Sequence, residues 1–162
     1  MNNKILITIA LAVFFIAVIF LFSFFYSAPK QASVCFNPPA GGCFKVEIAK
    51  TSLELSKGLT LRKSLEQNKG MLFIFEKEGN YPFWMKNTLI PLDIIWIDKN
   101  GKVVFISENN LPCLPARAGK ENNCLSITPN QSAKYVLEIN AGISEKIEMK
   151  IGDEAILTGL TP

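Results

Sequence analysis

From Gly70 to Asp98 the chain reads GMLFIFEKEGNYPFWMKNTLIPLDIIWID, a stretch in which a few polar groups are embedded among large apolar side chains. Polar groups in such company must be hydrogen-bonded or put to use, because burying one without a partner is costly. Met71 to Phe75 is a five-residue apolar run after Gly70, ended by the charged segment Glu76 to Asn80, which reads as a buried strand. Leu92 to Ile97 is a second such run. It is followed by Lys99-Asn100-Gly101-Lys102 and then Val103 to Ile106. Asn-Gly between two β-branched runs is the strongest short-range hairpin signal, and a tight two-residue turn there needs positive φ at both central positions.

The rest of the chain fits a small domain built around these strands. Phe44, Val46 and Ile48 alternate with Lys45, Glu47 and Ala49, the period-2 pattern of a half-buried strand. Thr51 or Ser52 caps a short helix ending near Gly58, with Leu53, Leu55 and Leu59 expected to face inward. Asn109 to Ser132 contains Pro112, Pro115, Pro129 and two cysteines, and reads as a long stapled loop. Tyr135 to Ile139 makes a strand, Ile143 to Lys150 a short helix, and Ala155 to Leu157 a last strand. The fold class expected is α+β, mainly β: a partly closed barrel-like domain with two short helices.

The segment before this domain has a different character. Ile5 to Tyr26 carries no charge, and its 22 residues would span roughly 33 Å as a helix, against a hydrocarbon core of about 30 Å. A cleaved secretory signal has a shorter apolar region and a small-x-small exit, and Pro29 follows Ala28 here. Residues 1–28 are therefore expected to be an uncleaved signal anchor, with 29–43 a Pro- and Gly-rich tether and 44–160 a single domain. All four cysteines lie beyond the anchor, an even count in loops, which reads as two disulfides in an oxidising compartment. Cys35–Cys43 and Cys113–Cys124 are the favoured pairs, since each closes a short loop with no other restraint. The expected location is the cell membrane, single-pass, with the C-terminal domain outside the cytoplasm.

Composition narrows the chemistry. The chain has no His, which removes His-based triads and His-ligated metals. With Lys4 set aside, 16 basic residues face 14 acidic ones, interleaved rather than gathered into a stripe, so nucleic acid is not an expected partner. Neither a resident cofactor nor a metal is expected. The candidate ligand-binding residues are Trp84, Lys86, Asn87, Thr88 and Asp93. Lys86 and Asn87 offer donors to an anionic or carbonyl group, and Asp93, if desolvated, offers a general base. If Leu92, Ile94 and Trp96 face one side, Asp93 shares the other with Ile95 and Ile97, where a carboxylate must be paired or have a raised pKa. The competing reading makes Asp93 a strut that accepts N–H groups of the Asn87 to Ile90 turn or pairs with Lys86. Glu138, opposite in alternation to Leu137 and Ile139, is expected on a solvated face. Asp93 and Glu138 would form a glycosidase-like pair only if their strands were neighbours.

GMLFIF at 70–75, FWMKNTLIPLDIIWID at 83–98 and YVLEINAG at 135–142 resemble, in order and spacing, the bacterial and archaeal family called domain of unknown function 192. The resemblance runs from about Val46 to about Leu157. It implies a compact, mostly β domain, often behind a signal or membrane anchor, with no established activity. One departure is visible: where that family reads R-x-x-GLM, this chain has LELSKGLT at 53–60, with Leu55 or Ser56 near the Arg position and Thr60 in place of the Met. Three functions follow from the residues. The first is non-catalytic binding of a small molecule, glycan or envelope protein through Trp84 to Asp93. The second is a hydrolase using Asp93 with Lys86 and Asn87. The third is Cu(I) or other soft-metal binding through Met71, Trp84 and Met85.

Overall fold

Two strands meet at the Asn-Gly turn, β4 (Leu92–Ile97) and β5 (Val103–Asn110), paired antiparallel with Ile95 opposite Ile106 and Ile97 opposite Val103. Only Gly101 of the turn has positive φ, at 84°. The Asp98 carbonyl accepts from Gly101 N–H, and its carboxylate accepts from the N–H groups of Asn100 and Lys102. The turn is therefore a three-residue connection with its glycine in the left-handed position, not the two-residue form that needs two such residues. The computed structural model describes residues 11, 13–18, 31–38, 40–113 and 124–160.

Five further strands complete the sheet: β1 (Ser33–Phe36), β2 (Gly42–Ala49), β3 (Lys69–Gly79), β6 (Ala133–Asn140) and β7 (Ala155–Thr158). Their order is β5-β4-β6-β3-β2-β1-β7. Among these seven strands β2 and β3 are the one parallel pair, and the crossover between them carries helix α1 (Ser52–Lys57). Thr51 and Glu54 form a reciprocal capping box at its start, and Gly58 closes it with φ 47°. One turn, α2 (Ile143–Lys146), follows β6. The sheet curls into a half-barrel until its two edges touch, with Ala155 N–H donating to Gly101 O at 2.7 Å and Val103 N–H to Asp153 O at 2.9 Å. A Cβ on Gly101 would lie 2.7 Å from Ala155 O, so that contact needs glycine for space as well as for φ.

Alternation assigns each strand to two cores. Val34, Phe36, Val46, Leu72, Ile95, Ile97, Val103, Leu137, Ile139 and Ala155 fill the inside of the curl, with residues drawn from all seven strands. Met71, Phe73, Leu92, Ile94, Trp96 and Val136 face outward, yet they are buried too. Their cover is an outer layer made of α1, the segment after it, and the irregular chain around Phe83 to Ile90.

Three expectations change. The stretch expected to be a tether carries β1, which pairs with both β2 and β7 and buries Val34 and Phe36, so the compact unit begins at Gln31. Its signal was hidden because the strand has only four residues and lies between prolines and glycines. Leu53 does not face inward: it is 78% exposed, and Leu59 is the α1-region leucine that is buried. The chain from Glu76 to Gly79 continues β3 rather than forming a loop. The expected membrane-spanning segment lies mostly outside the described residues. Among the described residues, 11 and 13–18 are helical, and no helix is long and apolar enough to cross a membrane.

Both disulfides are present, Cys35–Cys43 and Cys113–Cys124. Cys35 and Cys43 stand directly opposite one another on β1 and β2. Disulfides of this kind persist in oxidising compartments, which suggests an extracytoplasmic domain.

Candidate functional site

Between α1 and the chain from Tyr81 to Thr88 the outer layer leaves a cavity of about 190 Å³ over the convex face of the sheet. Phe73 and Phe75 of β3 form its floor with Glu138 of β6. Leu55, Ser56, Gly58, Leu59 and Thr60 supply one wall, and Tyr81, Phe83, Trp84, Lys86 and Thr88 the other.

The aromatic wall is held by several contacts. Trp96, fully buried, donates its indole N–H to Tyr81 O at 2.9 Å. Tyr81 stacks on Phe75 at 3.5 Å and donates its hydroxyl to Lys77 O. Phe83 meets Phe73 edge-on at 4.8 Å and Trp96 at 5.6 Å. Backbone bridges then tie this wall to the stapled loop: Phe83 exchanges two hydrogen bonds with Ile127, Asn87 N–H donates to Cys113 O, and Cys113 N–H to Met85 O. The Cys113–Cys124 disulfide thus lies directly behind the wall. On the opposite side Arg62 forms a bidentate pair with Glu47 of β2 at 2.6 and 2.7 Å, anchoring the chain after α1 and holding the Glu47 carboxyl below the usual carboxylate range.

Glu138 is the site's unusual group. It is 5% exposed, and its Oε2 atom is buried with no hydrogen-bond partner. Desolvation pushes its pKa from the ordinary 4.5 up to about 8. Its cross-strand neighbours are Met71 on β3 and Ile94 on β4, neither able to hydrogen-bond with it through a side-chain N–H or O–H. Gly58 lets the α1 terminus come close: a Cβ there would be 3.1 Å from Phe73 Cζ and 3.9 Å from Glu138 Oε2. The expectation of a solvated face fails because the face opposite Leu137 and Ile139 is roofed by the outer layer. Val136, two residues earlier on the same face, carried that signal.

Asp93 lies on the other side of the sheet. In register, Asp93 stands opposite Ile139 and Ile94 opposite Glu138, so β4 and β6 are neighbours but the two carboxylates point to opposite faces. A paired acid and base between them is ruled out by that one-residue offset. Asp93 is fully buried. Its Oδ1 accepts from Asn109 N–H at 2.8 Å, and its Oδ2 from Ser144 N–H at 2.9 Å and Ser144 Oγ at 2.7 Å. It therefore ties α2 and the end of β5 to the sheet, through partners other than the Asn87 to Ile90 turn or Lys86. Asn109 has φ 51°, a conformation its neighbours did not signal.

Of the other sequence candidates, Trp84, Lys86 and Thr88 line the cavity, while Asn87 and Asp93 do not. Trp84 is 56% exposed, with Lys86 Nζ 5.8 Å from its ring centre. Asn87 adopts φ 58° and accepts Leu61 N–H through its backbone, a turn role. Met71 and Met85 are packed in the outer core, whereas the Trp84 ring lies at the surface. Among the described residues no group of three His, Cys, Asp or Glu side chains could hold a metal. Tyr81, Phe75 and Gly58, not singled out from sequence, belong to the cavity.

A curled β-sheet with a stapled outer layer and a roofed, carboxyl-floored pocket defines a small β domain with a preformed cavity. The family profile of DUF192, described as Uncharacterized ACR, matches residues 36–157, and the chain belongs to that family. A UPF0127 protein of Thermococcus kodakarensis is 28% identical over 111 residues, covering 67% of this chain; the match spans 62% of that relative's length. A Novosphingobium aromaticivorans protein of unknown function has a crystal structure similar to this fold, with a TM-score of 0.67, 31% identity and coverage of 78% of this chain and 83% of that one. A Sinorhizobium meliloti protein described as a candidate transcription regulator gives a TM-score of 0.70, 29% identity and coverage of 81% and 96%. Leu55 and Ser56, either of which stands near the Arg position of the family pattern, and Thr60 at its Met position line the cavity.

Proposed function

We propose that this domain is a non-catalytic binding module, held outside the cytoplasm by an N-terminal membrane anchor, and that the cavity floored by Glu138 takes a small organic molecule. The observation that carries the reading is the unpartnered, buried Glu138 Oε2 beneath an aromatic-walled opening. A buried polar atom without a partner is costly to keep, and a few convergent polar groups in an apolar pocket are the usual make-up of a small-molecule site. The two disulfides and the uncharged run Ile5 to Tyr26 support the anchored, external placement. A hydrolase built on Asp93 is less well supported, because the Asp93 oxygens are occupied by Asn109 and Ser144, away from Lys86. Regulation through DNA is not favoured, since the basic side chains are interleaved with acidic ones.

A fragment screen of the ¹⁵N-labelled full chain in detergent, read by NMR, tests the reading. Binding should shift the Trp84 indole and the amides of Gly58 and Tyr81 to Thr88, and leave β1 and β7 unmoved. A screen in which no fragment moves these signals at millimolar concentration refutes it.

A further inference from the structure

The cavity has polarity as well as volume. A void of about 150 Å³ admits benzene, so about 190 Å³ has room for one ring and a short head group. Five aromatic side chains line it: Phe73, Phe75, Tyr81, Phe83 and Trp84. Ring faces attract cations, and the pull grows once water is excluded. At the floor stands a carboxyl group with one oxygen entirely unpartnered. The pocket also contains Lys57 and Lys86, but neither hydrogen-bonds to Glu138 Oε2, and Lys86 Nζ lies over the Trp84 ring instead. An anion pairs only with the protonated carboxyl and an alcohol leaves the charge of the ionised form unbalanced, whereas a cation balances that charge and is drawn by the ring faces as well.

We infer that the pocket is an amine site: it takes a compact organic monocation whose ammonium donates to Glu138 Oε2 while its apolar body lies against the Phe73, Phe75, Tyr81 and Phe83 rings. The inference rests on the binding role proposed for this cavity and specifies its ligand class. Binding couples to a proton. The free site holds Glu138 mostly protonated at pH 7, and an ammonium selects the ionised form, so the carboxyl proton leaves to solvent as the amine enters. The titratable or charged groups facing Glu138 are Lys57 from α1 and Tyr81 and Lys86 from the opposite wall; β3 and β4 present Met71, Phe73 and Ile94.

Isothermal titration calorimetry of the full, disulfide-intact chain in detergent, with benzylammonium, benzyl alcohol and benzoate as probes at pH 6, 7 and 8, decides the matter. Benzylammonium should bind tightest, its affinity rising about tenfold from pH 6 to 7 and about fivefold from pH 7 to 8. Its enthalpy at pH 7 should vary with buffer, reporting release of roughly 0.9 proton. Glu138→Gln should weaken benzylammonium at least tenfold and flatten the pH profile, while Lys57→Gln and Lys86→Gln keep the slope. If Glu138→Gln does not fold, the slope and proton release of the native protein carry the test alone. Benzyl alcohol or benzoate binding as well as benzylammonium, or a flat pH profile, overturns the amine assignment and leaves the pocket reading standing. Silence from all three probes, together with a silent fragment screen, overturns both.

Discussion

Glu138→Gln should remove a loss of stability that the ligand-free domain undergoes as pH rises from 5 to 8. The group is an acid whose folded pKa is about 8, against an ordinary 4.5, with desolvation as the cause. Its neutral form is favoured in the folded state, so the unfolded chain ionises first. Stability is fully present below pH 4.5, declines as the unfolded chain gives up its proton, and reaches its floor above pH 8. At 1.36 kcal/mol per pKa unit, the decline between pH 5 and 7 is about 2.5 kcal/mol, and about 3.5 kcal/mol by pH 8. Glu47, held low by Arg62, acts in the opposite sense: its contribution is present above pH 4.5 and lost as pH falls through its lowered value, below this window. Urea unfolding at pH 5, 6, 7 and 8, followed by the near-UV signal of buried Trp96, measures the slope. The expected result is a midpoint that falls with pH in the native domain and stays level in Glu138→Gln. Native stability that is flat or rising from pH 5 to 8, or a Gln variant that keeps the slope, would refute the reasoning.

Two further outcomes follow from how the layers are held. Asp93→Ala should orphan the buried Ser144 N–H and the part-buried Asn109 N–H and leave the Ser144 hydroxyl only Glu108, destabilising the domain by on the order of 2 kcal/mol, with probe binding at the cavity retained in the folded fraction. A urea midpoint within about 1 kcal/mol of native would remove its role as a tie. Replacing Cys113 and Cys124 by Ser, a pair 11 residues apart, should cost about 3 kcal/mol in the chain-entropy picture and loosen probe binding, because the pocket wall hydrogen-bonds to Cys113 and Ile127. The Cys35 and Cys43 double replacement serves as the control, since that bridge joins β1 and β2 away from the cavity and should leave probe affinity unchanged.

The strands with strong periodic or continuous apolar patterns were legible because burial imposes their pattern directly. β4, β5, β6 and the capped helix α1 lie where the residues place them, and the alternation that sets Asp93 with Ile95 and Ile97 holds. β1 was not legible, since four residues between turn formers give too short a period, and its strand character comes from tertiary pairing with β2 and β7. Of the residues lining the cavity, Trp84, Lys86 and Thr88 stand out in the sequence, whereas Glu138 reads from alternation as solvated and is buried. Alternation tells which residues share a face of a strand, and it is silent on whether that face meets water. For Glu138 the answer depends on α1 and Gly58, some 80 residues away in sequence, closing over β6.

This two-sided burial explains why a pocket exists at all. A half-barrel packs its concave side with residues from every strand and gains its core there. A convex side as apolar as Met71, Phe73, Ile94 and Trp96 then requires a cover, which this chain builds from one short helix and irregular segments. Irregular cover cannot match a pleated sheet at every point, and gaps open beside its close contacts. Gly58 is such a contact, where a Cβ would already lie 3.1 Å from Phe73, and the gap lies next to it with Glu138 at its floor. An apolar gap would be relieved by a larger side chain, but a gap that also exposes an unpaired carboxyl is relieved only by a group that can donate a hydrogen bond to it. The residue that makes the empty fold less stable at neutral pH is therefore the same one that gives a cationic guest its advantage. Destabilisation in the free state and affinity for the amine should rise together as pH increases toward 8.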